Sequence, residues 1–280
     1  MQSENPLTIY FNERIDTFTT HLNNTHQNFN EYDLHQLRVE IKKMRTLLRL
    51  LIIAVEEEYD KDKFEKILRK LFKPGGKIRE TQINTTQASD FNFALADRFN
   101  KYLELKTQKH TEKFRNALIN FIDDDFEMFK KELKAFIEQT DRDRFNVSVI
   151  QFLGNEFDTI KLLFNEIADE KKLHKARMHL KASGYMLNLL IELWTDHDFI
   201  ALHQNVKLIE TMIGDWHDKI VFKSSLQKFA DHELSPTEVH VLNSTAESVE
   251  QKISESYNEI FHQLGQLIDH DFTLFRKKFL

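Results

Sequence analysis

Apolar residues recur at three- and four-residue spacing along almost the whole chain, the pattern of helices that each bury one face. Leu37, Ile41, Met44, Leu48 and Leu51 form one such ladder. Long β-type alternation is absent, and only 6 Gly and 3 Pro punctuate 280 residues, so long helices are expected. The spacing predicts helices over 7–29, 33–59, 61–73, 77–108, 110–121, 124–139, 145–167, 170–194, 198–213, 216–232 and 236–280, the last of them broken. Pro74-Gly75-Gly76 reads as a firm break, and Ser235-Pro236 as an N-cap followed by a first-turn proline.

The pattern repeats. His35-x-x-Arg38-x-x-x-Lys42 recurs as His174-x-x-Arg177-x-x-x-Lys181, an offset of 139 residues. Gly76-Lys77-Ile78-Arg79-Glu80 recurs as Gly214-Asp215-Trp216-His217-Asp218, offset by 138, and Ile122-Asp123-Asp124-Asp125-Phe126 as Ile268-Asp269-His270-Asp271-Phe272, offset by 146. Three anchors in one order at nearly constant spacing imply an internal duplication, with halves 1–140 and 141–280 joined near Thr140-Asp141-Arg142-Asp143. The period is too long for a solenoid unit. The expected fold is all-α: two similar antiparallel helical bundles packed face to face.

The repeated motif carries charge. At 100° per residue, His35, Arg38, Lys42, Arg45 and Arg49 fall within an arc of about 80°, opposite the Leu37 ladder. His174, Arg177 and Lys181 likewise share one face, away from Leu173, Leu180 and Leu187. Like charges stacked on one helix face repel, whereas ordinary surface helices mix both signs. The bland reading is a solvated basic face on an amphipathic helix. Withholding acids at two related positions favours an anion site instead. Residues 35–49 and 171–181 together carry +9, although the whole chain carries −6. A local positive site therefore sits on an acidic body, which repels nonspecific nucleic acid.

Arg presents a planar fork to phosphate and Lys a compact point charge, so cations at one-turn intervals suit a repeating anion. No Gly-rich phosphate loop occurs. Arg79 and His217 follow equivalent glycines; they either reach the same channel or serve in capping and packing. A metal among the histidines has no H-x-x-x-H spacing and no Cys to support it. Asp123-Asp124-Asp125 and Asp269-x-Asp271 read as helix N-caps rather than metal ligands, and Phe121, Phe126, Phe129 and Phe136 as a core stripe. Cysteine is absent, excluding disulfides and thiolate chemistry; the N-terminus lacks signal-peptide character and no apolar run reaches membrane length, so the expected location is the cytoplasm.

The string from His35 to Arg45, and then His174-x-x-Arg177-x-x-x-Lys181, Tyr185 and Gly214-Asp215-Trp216-His217-Asp218, resembles the CHAD domain, the conserved-histidine α-helical domain. The resemblance spans nearly the whole chain. It implies a duplicated helical fold around a basic channel, and binding of inorganic polyphosphate or other phosphate-rich anions there. Three departures stand out: Glu80 where the family usually has Asp, Gly184 where Arg is common before Tyr185, and Lys at several Arg positions.

The expected function is thus non-catalytic polyphosphate binding by His35, Arg38, Lys42, Lys43, Arg45, Arg49, Arg79, His174, Lys175, Arg177, Lys181 and His217, with no cofactor, no metal and no membrane partner. The alternatives are a phosphohydrolase or phosphotransferase, and a scaffold holding an acidic peptide or nucleic acid in the same groove.

Overall fold

The computed structural model describes residues 6–54, 61–121, 123–139, 142–166, 170–193 and 197–280. Thr140 and Asp141 of the expected joint and Ile122 lie outside the described residues, as do the side chains of Asp123, Asp124 and Phe136. Every regular element among the described residues is helical: α1 (Pro6–Gln27), α2 (Glu31–Ala54), α3 (Lys61–Phe91), α4 (Ala96–Ile119), α5 (Asp123–Gln139), α6 (Arg142–Phe164), α7 (Glu170–Leu193), α8 (His197–Glu233), α9 (Pro236–Gln266) and α10 (Thr273–Phe279), with a π-helical turn at Leu267–Phe272 between the last two. None of them is long and apolar enough to cross a membrane.

Local chemistry sets several starts. The Asn30 side chain accepts the Asp33 backbone N–H at 2.8 Å and opens α2. At α9 the Ser235 backbone N–H donates to the Glu238 carboxylate at 2.9 Å, with Pro236 at the first helical position, as the sequence predicts. Elsewhere the expected boundaries move. Pro74-Gly75-Gly76 does not end a helix; α3 runs through it, and no glycine has positive φ. The glycines serve close packing instead: a Cβ on Gly75 would lie 3.0 Å from Leu34 Cδ1, and one on Gly76 3.0 Å from Arg38 Nη1. Gly214 similarly stands inside the unbroken α8. The real break falls at Asn92, whose φ of 40° suits asparagine and ends α3. Nor does α4 stop at 108; nothing in that stretch breaks a helix. Asp269 and Asp271 lie within the π turn, not at a helix start, which overturns their N-cap reading.

Neighbours in sequence pack as neighbours: α1 on α2, α2 on α3 and α3 on α4, then α6 on α7, α7 on α8 and α8 on α9. Between these sets, α2 meets α6 and α7, and α3 meets α8. Two cores result. The larger buries Leu37, Ile41, Met44, Leu48 and Leu51 of α2 together with Leu173, Leu180 and Leu187 of α7. Phe126 and Phe129 join it and stack at 5.6 Å. The smaller joins the distal ends of α3, α4, α8 and α9 through Phe93, Phe99, Phe222 and Phe229. Phe222 packs edge-on against Phe99 at 5.8 Å, and Phe229 against Phe99 at 5.3 Å. These aromatic contacts clamp α3–α4 to α8–α9. They fix the spacing of the nearer segments of α3 and α8, which carry Arg79 and His217.

Candidate functional site

With the leucine ladders buried, the cationic faces of α2 and α7 lie near each other, with α3 and α8 alongside. His35, Arg38 and Lys42 stand on α2, Arg79 on α3, Arg177 and Lys181 on α7. Their influence on one another's titration accords with that proximity. Lys42 is pushed down to about 7, first by burial, then by Lys181, Arg38 and Arg177. Arg38 is pushed down to about 10 by burial and by Arg79. His35 is lowered by desolvation and by Arg79, Lys42, Lys181 and Arg38. Cations of two distant sequence segments therefore share one electrostatic environment.

His174 and His217 stand at one side with ring centroids 4.4 Å apart. Burial lowers both, and His174 and Arg177 help hold His217 at about 4, so both imidazoles are neutral near pH 7. The Nδ1 atom of each is buried without a hydrogen-bond partner. A buried polar atom left unpaired costs free energy. Asp218 neighbours Arg177 and Arg79, and burial raises its carboxyl.

Specific packing seats the two repeated arginines. Arg38 lies over the Phe72 ring at 4.2 Å and donates through Nη1 to the Phe72 carbonyl, two residues before Pro74. Gly76 leaves room for that guanidinium. In α8, Gly214 leaves room for Arg177 in the same way.

The cleft also contains a carboxylate that sequence reasoning missed. Glu210 of α8 is buried; its Oε1 lies 2.9 Å from Lys181 Nζ and its Oε2 2.9 Å from Lys207 Nζ. Arg177 Nε approaches Oε1 at 3.3 Å without hydrogen-bond alignment. Burial alone would raise this carboxyl; Lys181 and Lys207 outweigh it and hold Glu210 at about 2. The signal was available: Glu210, Gly214 and His217 are spaced i, i+4 and i+7 and share one helix face.

The remaining sequence candidates have carboxylate partners or lie on another face. Arg45 pairs with Glu65 at 3.5 Å. Arg49 pairs with buried Glu156, which also holds His179 at 2.9 Å. Lys43 pairs with Glu40 at 2.7 Å, and Arg14 shares that carboxylate. Lys175 is exposed on another face of α7. Eight of the expected residues thus gather; Arg45 stands over the same Phe72 ring as Arg38 and Lys42, Lys43 lines a cavity with Lys181, and Arg49 and Lys175 lie elsewhere. Among the described residues no three His, Asp or Glu side chains come together as metal ligands would.

This architecture has counterparts. The crystal structure of the CHAD domain from the plant Ricinus communis superposes with a TM-score of 0.75 at 12% sequence identity, covering 93% of this chain and 90% of that one. No curated protein matches the chain. The CHAD domain family profile matches residues 9–227, spanning α1 through most of α8 and every residue of the cleft. The chain belongs to the CHAD domain family.

Proposed function

We propose that the chain binds inorganic polyphosphate in the cleft between α2–α3 and α7–α8, as a non-catalytic, cytoplasmic binding protein. The observation that carries the reading is the proximity of Lys42 to Lys181 and Arg177, cations from different halves of the sequence, which add to burial in depressing Lys42 to about 7. A fold that concentrates cations against their own repulsion stabilises a bound polyanion. Family membership supports the same ligand. The contact set is His35, Arg38, Lys42, Arg79, His174, Arg177, Lys181 and His217. The two arginines offer forked donors, the lysines point charges, and the unpaired imidazoles hydrogen bonds.

A phosphohydrolase would need free carboxylates to hold Mg²⁺ against the phosphates. Of the carboxylates here, Glu210 is committed to Lys181 and Lys207, and Asp218 faces Arg177 and Arg79. This favours binding over turnover. Titration with long-chain polyphosphate, followed on wild type, Arg38→Glu and Lys181→Glu, tests the reading. We expect tight binding by wild type and at least tenfold weaker binding by each variant, with unchanged circular dichroism. Undiminished binding by both variants would remove the cleft as the site, and phosphate release in the presence of Mg²⁺ would make the protein an enzyme.

A further inference from the structure

All six glycines stand inside helices. In five of them a neighbouring side chain presses into the space a methyl group would take, at 3.0 Å for Gly75 and Gly76, 2.6 Å for Gly154, 2.7 Å for Gly214 and 3.3 Å for Gly265. Gly184 differs: a Cβ there would meet only Val206 Cγ1, at 4.0 Å. Glycine weakens a helix interior relative to alanine, and no close approach accounts for it here. What Gly184 borders is a cavity of about 300 Å³ walled by α1, α2, α7 and α8.

The lining has three kinds of chemistry. Tyr10, Tyr185, Leu180 and Val206 supply aromatic and apolar surface. Burial raises both phenols, so they remain protonated, and neither hydroxyl has a hydrogen-bond partner among the described residues. Arg14, Lys43, Lys181 and Lys207 supply positive charge, shared with the buried carboxylates of Glu40 and Glu210 and, for Arg14, with exposed Glu13. Glu192 and Glu210 also line the space as acceptors; Glu192 is held by Asn188 Nδ2 at 2.6 Å.

A bare phosphate chain uses the cations but has no donor for the carboxylates and no surface to lay against the tyrosines. A ligand with an anionic end, a flat ring and hydroxyl or amino donors satisfies all three. We propose that the cavity beside Gly184 is a nucleotide site: the phosphates reach Lys181 and Lys43, the base packs against Tyr10 and Tyr185, and the sugar hydroxyls or the base amino group donate to Glu192. The volume sits at the lower end of the range for small-ligand pockets, consistent with one nucleoside. This site goes beyond the polyphosphate reading and shares only Lys181 with its contact set.

The test compares ATP with tripolyphosphate, which has the same phosphate count but no nucleoside, by calorimetric titration at matched ionic strength. Wild type is expected to bind ATP at least tenfold more tightly. Gly184→Leu, which fills the cavity, is expected to bring ATP down to the tripolyphosphate level. Equal affinity of wild type for the two ligands overturns the proposal, and needs no variant to fold. So does a tenfold ATP preference that survives in Gly184→Leu. Long-chain polyphosphate titrated against the same wild-type sample reports separately on the cleft.

Discussion

A methyl group added to Gly214 would lie 2.7 Å from Nη2 of Arg177, inside van der Waals contact. The obstructing atom is the far end of a flexible side chain, so the guanidinium can move while the helices keep their spacing. Gly214→Ala is therefore expected to fold with a melting temperature equal to or above wild type, since alanine favours the helix by about 1 kcal/mol. Polyphosphate binding should nonetheless weaken several-fold, because Arg177 leaves its seat. Thermal melts and titrations on one sample separate the two effects.

Glu210 competes with any bound anion for Lys181 and Arg177. Replacing it with Gln removes a negative charge and leaves the shape. Glu210→Gln should bind polyphosphate more tightly, by about tenfold or more, since a charge pair at such a site is worth at least about 1.4 kcal/mol. The same variant should melt lower in the free state, because three cations lose their shared partner. Added polyphosphate should recover the loss. A variant that binds no tighter would show that Glu210 does not oppose the ligand.

Much of the cationic pattern is legible in the sequence. The duplicated H-x-x-R-x-x-x-K motif marks the two helices whose cations lie near each other, and the 3.6-residue period gives which face they bury, because both depend on local spacing alone. Arg45 and Arg49 share that helix face with Arg38, yet about two and three turns further along α2 they pair with Glu65 and Glu156, from α3 and α6. Helix periodicity cannot report which carboxylate another helix brings. Pro74-Gly75-Gly76 misled for a related reason. Local propensity argues for a break, but the packing of Leu34, Phe114 and Arg38 against those glycines outweighs it.

The pH response follows from two depressed bases. Lys42 has a native value of about 7 against 10.5 for the free side chain. Between those values the unfolded chain holds a proton that the native state lacks, so stability rises with pH over that window, and the cost of a buried charge is fully present below it. His217, at about 4 against 6.5, acts likewise: stability falls as pH drops from 6.5 toward 4. A bound polyanion favours the charged forms and reverses both trends. Polyphosphate binding at pH 8 should take up protons, read by calorimetry in two buffers of different ionisation enthalpy. Zero uptake or proton release would contradict the placement of Lys42.

The distal aromatic clamp should govern stability rather than ligand contact. Phe222 is fully buried between Phe93 and Phe99 and stacks on Phe91 at 5.4 Å. Phe222→Ala should cost about 3–5 kcal/mol, measured by urea unfolding. Saturating polyphosphate should restore part of the lost stability through binding to the folded state. A loss below about 1 kcal/mol would mean the distal core collapses around the deletion.

The central claim is that cations from α2 and α7 grip one anion together. Its most direct measurement is the salt dependence of long-chain polyphosphate affinity for wild type, Arg38→Gln, Arg177→Gln and the double variant. Counterion release predicts a steep linear fall of log affinity with log salt for wild type, shallower by roughly one unit of slope for each cation removed, from either helix. A flat wild-type response, or a slope that changes for variants of one helix only, would contradict a shared cleft.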